Sequence, residues 1–135
     1  AGLESLNYLI GAGIIDRMLR PQYYASYLGS IFRTMRFGTG EAHGLAALVE
    51  LNYLLENGAI TYDAETGRYA VDYETLPGKI TEFAELLLTI EATGDFERAR
   101  ALKDAYGDVG PELETALQRV ANVPIDPAPI YQNYW

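Results

Sequence analysis

Apolar side chains recur along most of this chain at intervals of three or four residues, the period of a helix. From residue 22 to 37 they mark one face, which predicts a half-buried helix. After the break at Gly38-Thr39-Gly40, residues 41 to 57 predict a second helix that is apolar on nearly every side. A helix of that kind is buried rather than laid on a surface. We therefore expect it at the centre of the fold, ending at Asn57-Gly58, where glycine supplies a left-handed residue.

Between residues 59 and 73 the period changes to two, which predicts a β-hairpin. The large apolar side chains that alternate there are Ile60, Tyr62, Tyr69, Val71 and Tyr73. A turn-like segment, residues 64 to 67, separates the two strands as a four-residue loop. Because two strands alone are marginally stable in water, the hairpin is expected to pack its Tyr/Val face on helices.

Helical periods account for most of the remaining chain. Residues 2 to 19 predict a short helix, a glycine turn and a second short helical turn. Pro77 and Pro111 each open a helix, and a further one runs from Phe96 to Tyr106. The expected fold is therefore mainly α, an irregular bundle of about six helices with one β-hairpin, in a single domain over residues 1–135.

The last residues of the chain break this helical pattern. Prolines stand at positions 124, 127 and 129, which excludes a helix there. Residues 123 to 135 are therefore expected to be extended and aromatic, laid along the domain or free for a partner surface.

Composition narrows the function classes. The net charge of −9 argues against a nucleic-acid partner and against an anionic membrane surface, since both need clustered Lys and Arg. No signal peptide and no membrane span are visible, and we expect a cytoplasmic location. With no cysteine, the redox compartment cannot be read from the sequence.

His43, the one histidine of the chain, and Glu50 are the candidate polar groups of the central helix. They lie seven residues apart, two turns along one stripe, with the small residues Ala46 and Ala47 between them. A single His without any Cys predicts no zinc site within this chain. Two interpretations of His43 remain: a hydrogen-bonded core residue, or a donor that stabilises charge developing on a substrate oxygen.

Arg33 and Arg36 are three residues apart on the preceding helix. Such a pair is typical of a solvated face or of a structural ion pair. The alternative is that they hold or orient a substrate.

Six short blocks of sequence stand out within this pattern. They are residues 31–38 (IFRTMRFG), 42–44 (AHG), 51–59 (LNYLLENGA), 66–69 (TGRY), 86–96 (LLLTIEATGDF) and 123–126 (VPID). Together they resemble the C-terminal portion of dipeptidyl peptidase III, the M49 family of zinc metallopeptidases, in its bacterial form. The resemblance covers residues 24 to 126.

The resemblance implies a two-lobed hydrolase that releases N-terminal dipeptides from short peptides. In that family zinc is held by a lengthened His-Glu…His helix motif and by a Glu from a Glu-Glu-Cys-type motif, and neither motif is present in this sequence. The chain is therefore expected to be a C-terminal fragment, inactive alone and without a cofactor of its own. Zinc is expected in the full-length parent, and the expected partners are the remainder of that polypeptide and a short peptide.

The resemblance also assigns residue roles. His43 matches a family histidine that lies near the zinc and the scissile bond and hydrogen-bonds the substrate carbonyl in the transition state. Arg33, Arg36 and Glu50 are the candidate substrate-binding residues. Animal-type enzymes carry an arginine four residues after this histidine, where this chain has Ala47.

That departure leaves other functions open. One is a non-catalytic helical module for binding or interaction, belonging to a Nudix-associated homologue of the family. Another is a helical structural domain with His43 in its core. A homo-oligomer is also left open, because an apolar face that meets the rest of a parent protein can serve as a contact between copies.

Overall fold

A computed structural model describes residues 2–123 of the chain, a range that excludes the proline-containing end at 124–135 and the prediction made for it. The elements in this range are α1 (Gly2–Gly11), α2 (Arg20–Met35), α3 (Ala42–Glu56), β1 (Ile60–Asp63), β2 (Arg68–Val71), α4 (Leu76–Thr93), α5 (Phe96–Tyr106) and α6 (Pro111–Val120). A short 3-10 helix, Arg17–Leu19, precedes α2. The predicted mainly α fold with one β-hairpin is confirmed.

Helices α2 and α3 form the centre of the molecule by packing against each other. Around this pair, α5 and α4 contact α3, α6 contacts α2, and α1 packs on α4. The apolar residues that close the main core come from every helix except α5, and from β1: Leu3, Tyr24, Leu28, Ile31, Met35, Ala47, Leu48, Leu51, Leu54, Ala59, Ile60, Leu76, Ile80 and Leu113. The core thus runs along the α2–α3 contact, where the apolar periods of the sequence predicted it.

The β-hairpin forms with the four-residue loop, residues 64 to 67, that the sequence predicted. Ile60 faces Val71 and Tyr62 faces Tyr69 across the two antiparallel strands. Strand β1 contacts α3 and β2 contacts α2. On that side the Phe32 and Tyr69 rings meet edge-on with centroids 5.0 Å apart. The hairpin is therefore held by the two central helices, as two isolated strands would require.

Gly58 at the end of α3 and Asp95 at the start of α5 show how local sequence sets the ends of these helices. Gly58, with φ +71°, follows Asn57 in the left-handed region and lets the Ala59 amide donate to the Leu54 carbonyl at 2.9 Å, which ends α3. Asp95 accepts a hydrogen bond from the Arg98 amide at 3.0 Å and caps α5. These ends agree with the predicted stop at Asn57-Gly58 and with the predicted start of the Phe96 helix.

The prediction that α3 is buried on nearly every side is wrong along one stripe. Its buried residues are Gly44, Ala47, Leu48, Val49, Leu51 and Leu54. Ala42, His43 and Ala46 are exposed. Alanine counts as apolar in a pattern but removes little surface from water, so a stripe of alanines stays exposed without a large penalty.

None of the helices between residues 2 and 123 has the length and the hydropathy that crossing a bilayer demands. The assignment of the chain to one domain stays a prediction.

Candidate functional site

A cavity of about 220 Å³ lies between α2 and α3. Eight residues line it, four from each helix: Tyr27, Ser30, Ile31, Thr34, His43, Ala46, Ala47 and Glu50. Each set follows the i, i+3, i+4, i+7 spacing of a single helix face. The two faces meet at the buried side chains of Ile31 and Ala47, and the small alanines of α3 leave the space open.

His43 lies at the exposed, N-terminal end of this cavity. The interpretation of His43 as a buried core residue is wrong, because its side chain is exposed beside the equally exposed Ala42 and Ala46. An imidazole in this position can reach a ligand in the cavity with an N–H donor. The stripe that joins His43 to Glu50 along α3 thus lines one cavity.

Glu50 lies at the other end of the lining, two turns along α3. The Tyr27 hydroxyl donates a hydrogen bond of 2.7 Å to its Oε1 atom. Burial raises the pKa of Tyr27 above its ordinary value, and the Glu50 carboxylate raises it further. Tyr27 therefore stays protonated at neutral pH and holds the carboxylate in place.

Two hydroxyl groups of α2 complete the polar lining. Ser30 donates to the Tyr27 carbonyl at 2.7 Å, and Thr34 donates to the Ser30 carbonyl at 2.9 Å. Because both protons are used within the helix, the hydroxyl oxygens face a ligand as hydrogen-bond acceptors. Of the lining residues, sequence reasoning had singled out only those of α3. The i, i+3, i+7 spacing of Tyr27, Ser30 and Thr34 is the signal that points to the α2 half.

Within the part of the chain that the structure describes, Arg33 and Arg36 are not among the residues that line this cavity. Arg36 donates to the Val123 carbonyl at 2.5 Å, and its guanidinium carbon lies 5.6 Å from the centre of the Phe37 ring. Arg33 is exposed on α2. The structure brings His43 and Glu50 together in one cavity and leaves the two arginines outside it. Their assignment to substrate binding stays a prediction.

The loop that joins α2 to α3 fixes the N-terminal end of the site. Gly38 has φ +119°, and its carbonyl passes so close to Gly44 that a Cβ atom placed there would lie 1.9 Å from the Gly38 oxygen. Only glycine allows this approach. His43 directly precedes Gly44, so its position depends on two glycines. One is Gly38, which belongs to the break between the two predicted helices, and the other is Gly44 itself.

Among residues 2–123, no group of three or more His, Cys, Asp or Glu side chains lies close enough to hold a metal ion. The residues present do not form a zinc centre, and the cavity chemistry is that of one imidazole, one fixed carboxylate and hydroxyl oxygens.

The fold and the cavity define a mainly helical segment of a peptidase-like fold. Two solved structures of dipeptidyl peptidase III are similar to this chain. For the enzyme from Corallococcus sp. strain EGB, the TM-score is 0.86 and the identity is 33%, over 96% of the length of the present chain. For the enzyme from Caldithrix abyssi the TM-score is 0.91, with 34% identity over 97%. The resemblance to dipeptidyl peptidase III is thereby confirmed.

A curated relative carries a different name. Nudix hydrolase 3 from Arabidopsis thaliana is 33% identical over 132 residues, 96% of this chain. The chain spans 17% of the length of that plant protein, and 24% and 25% of the two solved chains. No family model matches the sequence.

Proposed function

We propose that this chain forms one wall of the peptide-binding cleft of a dipeptidyl-peptidase-like hydrolase, with His43 as a catalytic hydrogen-bond donor. The observation that carries the proposal is the exposed imidazole at the mouth of the α2–α3 cavity, in a fold that superposes on dipeptidyl peptidase III. The partners proposed with it are the remainder of a longer polypeptide and a short peptide, in a cytoplasmic setting.

In this proposal His43 donates an N–H to the carbonyl oxygen of the peptide bond that is cleaved. As that carbon becomes tetrahedral, negative charge develops on the oxygen, and the hydrogen bond strengthens with it. An interaction that is stronger in the transition state than in the bound substrate raises kcat rather than merely tightening binding. Zinc, expected only in the full-length protein, has no ligand set among the described residues of this chain, so no step here depends on it.

The test is His43→Ala in the full-length protein, assayed by dipeptide release from a short peptide. We expect kcat to fall by roughly 100-fold or more, as for the loss of one oxyanion donor, with an unchanged melting temperature. Gln118→Ala, an exposed position on α6, is the control and should leave kcat unaltered. An unchanged kcat in His43→Ala with a lowered melting temperature would assign His43 a structural role and reject the proposal.

A second candidate is a non-catalytic binding module attached to a Nudix-type hydrolase. The relative from Arabidopsis thaliana favours it, together with Ala47 at the position where animal-type enzymes carry an arginine. The sequence preceding Ala1 in the coding region discriminates the two. A His-Glu…His motif there, together with dipeptide release, supports the peptidase, and a Nudix domain without that motif supports the module.

A further inference from the structure

We propose that the Tyr27–Glu50 end of the α2–α3 cavity is a subsite for a primary ammonium group of the bound peptide. This inference rests on the proposed function for the identity of the ligand, but its test does not require turnover. It gives Glu50 a stated ligand chemistry and Tyr27 a role as the residue that positions the carboxylate.

The Glu50 carboxylate is held in place by one hydrogen bond and can accept further ones. Tyr27 occupies Oε1 of Glu50 at 2.7 Å, and no other donor to this carboxylate is found among residues 2–123. A carboxylate accepts at up to about four lone-pair positions, and Tyr27 uses one of them, so the Glu50 carboxylate has the capacity to accept from a ligand as well. Glu50 is half-buried, where a charged hydrogen bond is less weakened by water than at the surface.

The other polar residues of the cavity lining favour a ligand group that donates hydrogen bonds over one that accepts them. Ser30 and Thr34 present oxygens whose protons are already given to backbone carbonyls. No Lys or Arg is among the cavity residues in the described part of the chain. An ammonium group has three N–H donors and a positive charge, which matches one carboxylate and neighbouring hydroxyl oxygens. Among these lining residues, an anion would meet the Glu50 carboxylate without a compensating cation; the cation on a shared wall is Lys103, which lines the neighbouring cavity that Glu50 also lines.

The dimensions agree with one end of a peptide. The cavity of about 220 Å³ exceeds the volume of roughly 30 Å³ that a water molecule takes in the liquid. Seven residues of helix separate the α-carbons of His43 and Glu50 by about 10 Å. A ligand can therefore present a carbonyl to His43 and an ammonium to Glu50. The ammonium comes either from a lysine side chain or from the peptide N-terminus.

Nuclear magnetic resonance titration of the 135-residue chain tests the subsite with two ammonium probes. N-acetyl-lysine methylamide carries only the side-chain ammonium, and glycylglycine amide carries only the N-terminal one. Their neutral partners are N-acetyl-norleucine methylamide and N-acetyl-glycylglycine amide. We expect at least one ammonium probe to shift the signals of Tyr27, Glu50 and His43, while neither neutral partner does. The probe that binds identifies the source of the ammonium.

The decisive variant is Glu50→Gln, whose amide oxygen still accepts from Tyr27 and so preserves the fold. The Kd of the binding probe should rise by about tenfold or more, the value of a charge-assisted hydrogen bond. Glu56→Gln is the matched control, since it makes the same change at an exposed position of the same helix. Tyr27→Phe should also weaken binding, by less than Glu50→Gln.

Equal shifts with charged and neutral probes, no shift with either, or an unchanged Kd in Glu50→Gln would each overturn the subsite. These outcomes leave the proposed role of His43 untouched, because that role is judged by kcat of His43→Ala in the full-length protein. A loss of kcat there with no ammonium binding here would reject the subsite alone.

Discussion

Gly44 shows how a single residue can set the geometry of a site whose chemistry lies elsewhere. The loop carbonyl of Gly38 lies against the first turn of α3, in the space that any side chain at position 44 would fill. The neighbour is backbone, which cannot swing aside as the end of a flexible side chain can. The loop would have to move, and His43 with it.

We predict that Gly44→Ala destabilises the chain by roughly 1–3 kcal/mol, the range for inserting a methyl group into a packed site. Thermal unfolding followed by circular dichroism measures the change. Gly29→Ala is the control: it lies within α2 with nothing within 4 Å of the added Cβ, and it should gain about 0.5–1 kcal/mol from helix propensity. A Gly44→Ala chain as stable as wild type would show that the loop is free to shift.

At this scale the sequence predicted part of the site. His43 and Glu50 share one stripe of one helix, and spacing alone places them on it. Tyr27 could not be assigned in the same way, because its hydroxyl meets a carboxylate 23 residues further along the chain. Arg36 donates to the carbonyl of Val123, 87 residues away, and no local pattern indicates such a partner.

At the scale of elements, α3 is tied to the loop between α5 and α6 by one side chain. The Asn52 amide donates to the Tyr106 carbonyl at 2.8 Å and to the Asp108 carbonyl at 2.9 Å. Asn52 thus stabilises the turn where α5 ends and the chain reverses toward α6. The sequence indicated that one helix ends at Tyr106 and the next begins at Pro111, but not what holds the segment between them.

Asn52→Ala should lower the free energy of unfolding by about 1–3 kcal/mol, since two carbonyl groups lose their donor. Hydrogen exchange should rise most at the C-terminal end of α5. If exchange rises evenly over all six helices, the asparagine does not act on this loop in particular. Gln118→Ala, exposed on α6, should change neither quantity.

The period of the apolar residues predicted which segments are helices and which are strands. It predicted only in part which faces of these elements are buried. The hairpin was predictable because the alternation of its apolar residues leaves one face for the helices. The exposed stripe of α3 was not, because alanine reads as apolar wherever it lies and only packing decides which alanines are covered. The cavity forms along that stripe, so the error in burial and the position of the site have one cause.

At the scale of the whole molecule, the buried tyrosines determine how the stability of the fold changes at high pH. Burial raises the pKa of tyrosines on four different elements: Tyr24, Tyr27, Tyr53, Tyr69 and Tyr106. For Tyr69 on β2 it reaches about 12. A raised pKa means that the folded state favours the neutral phenol more strongly than the unfolded state does, for which the pKa is about 10.

The stabilisation from the Tyr69 phenol is therefore complete below pH 10 and is lost as the pH rises through about 12, and the other four phenols act in the same direction. We predict cooperative unfolding in that window, with tyrosinate absorbance appearing together with the loss of helical ellipticity. In concentrated urea the same tyrosines should titrate near pH 10 with no cooperativity. Identical titration curves in buffer and in urea would contradict the burial of these rings.

The α2–α3 cavity has a mechanical consequence. Its walls are the two helices that pack against each other to form the core, and Ile31 and Ala47 belong to both the cavity lining and the core. Widening the cavity would mean separating the helices on which the domain's stability depends. We therefore expect α2 and α3 to keep their relative positions when a ligand binds, so that any motion that admits or releases the ligand occurs in other elements.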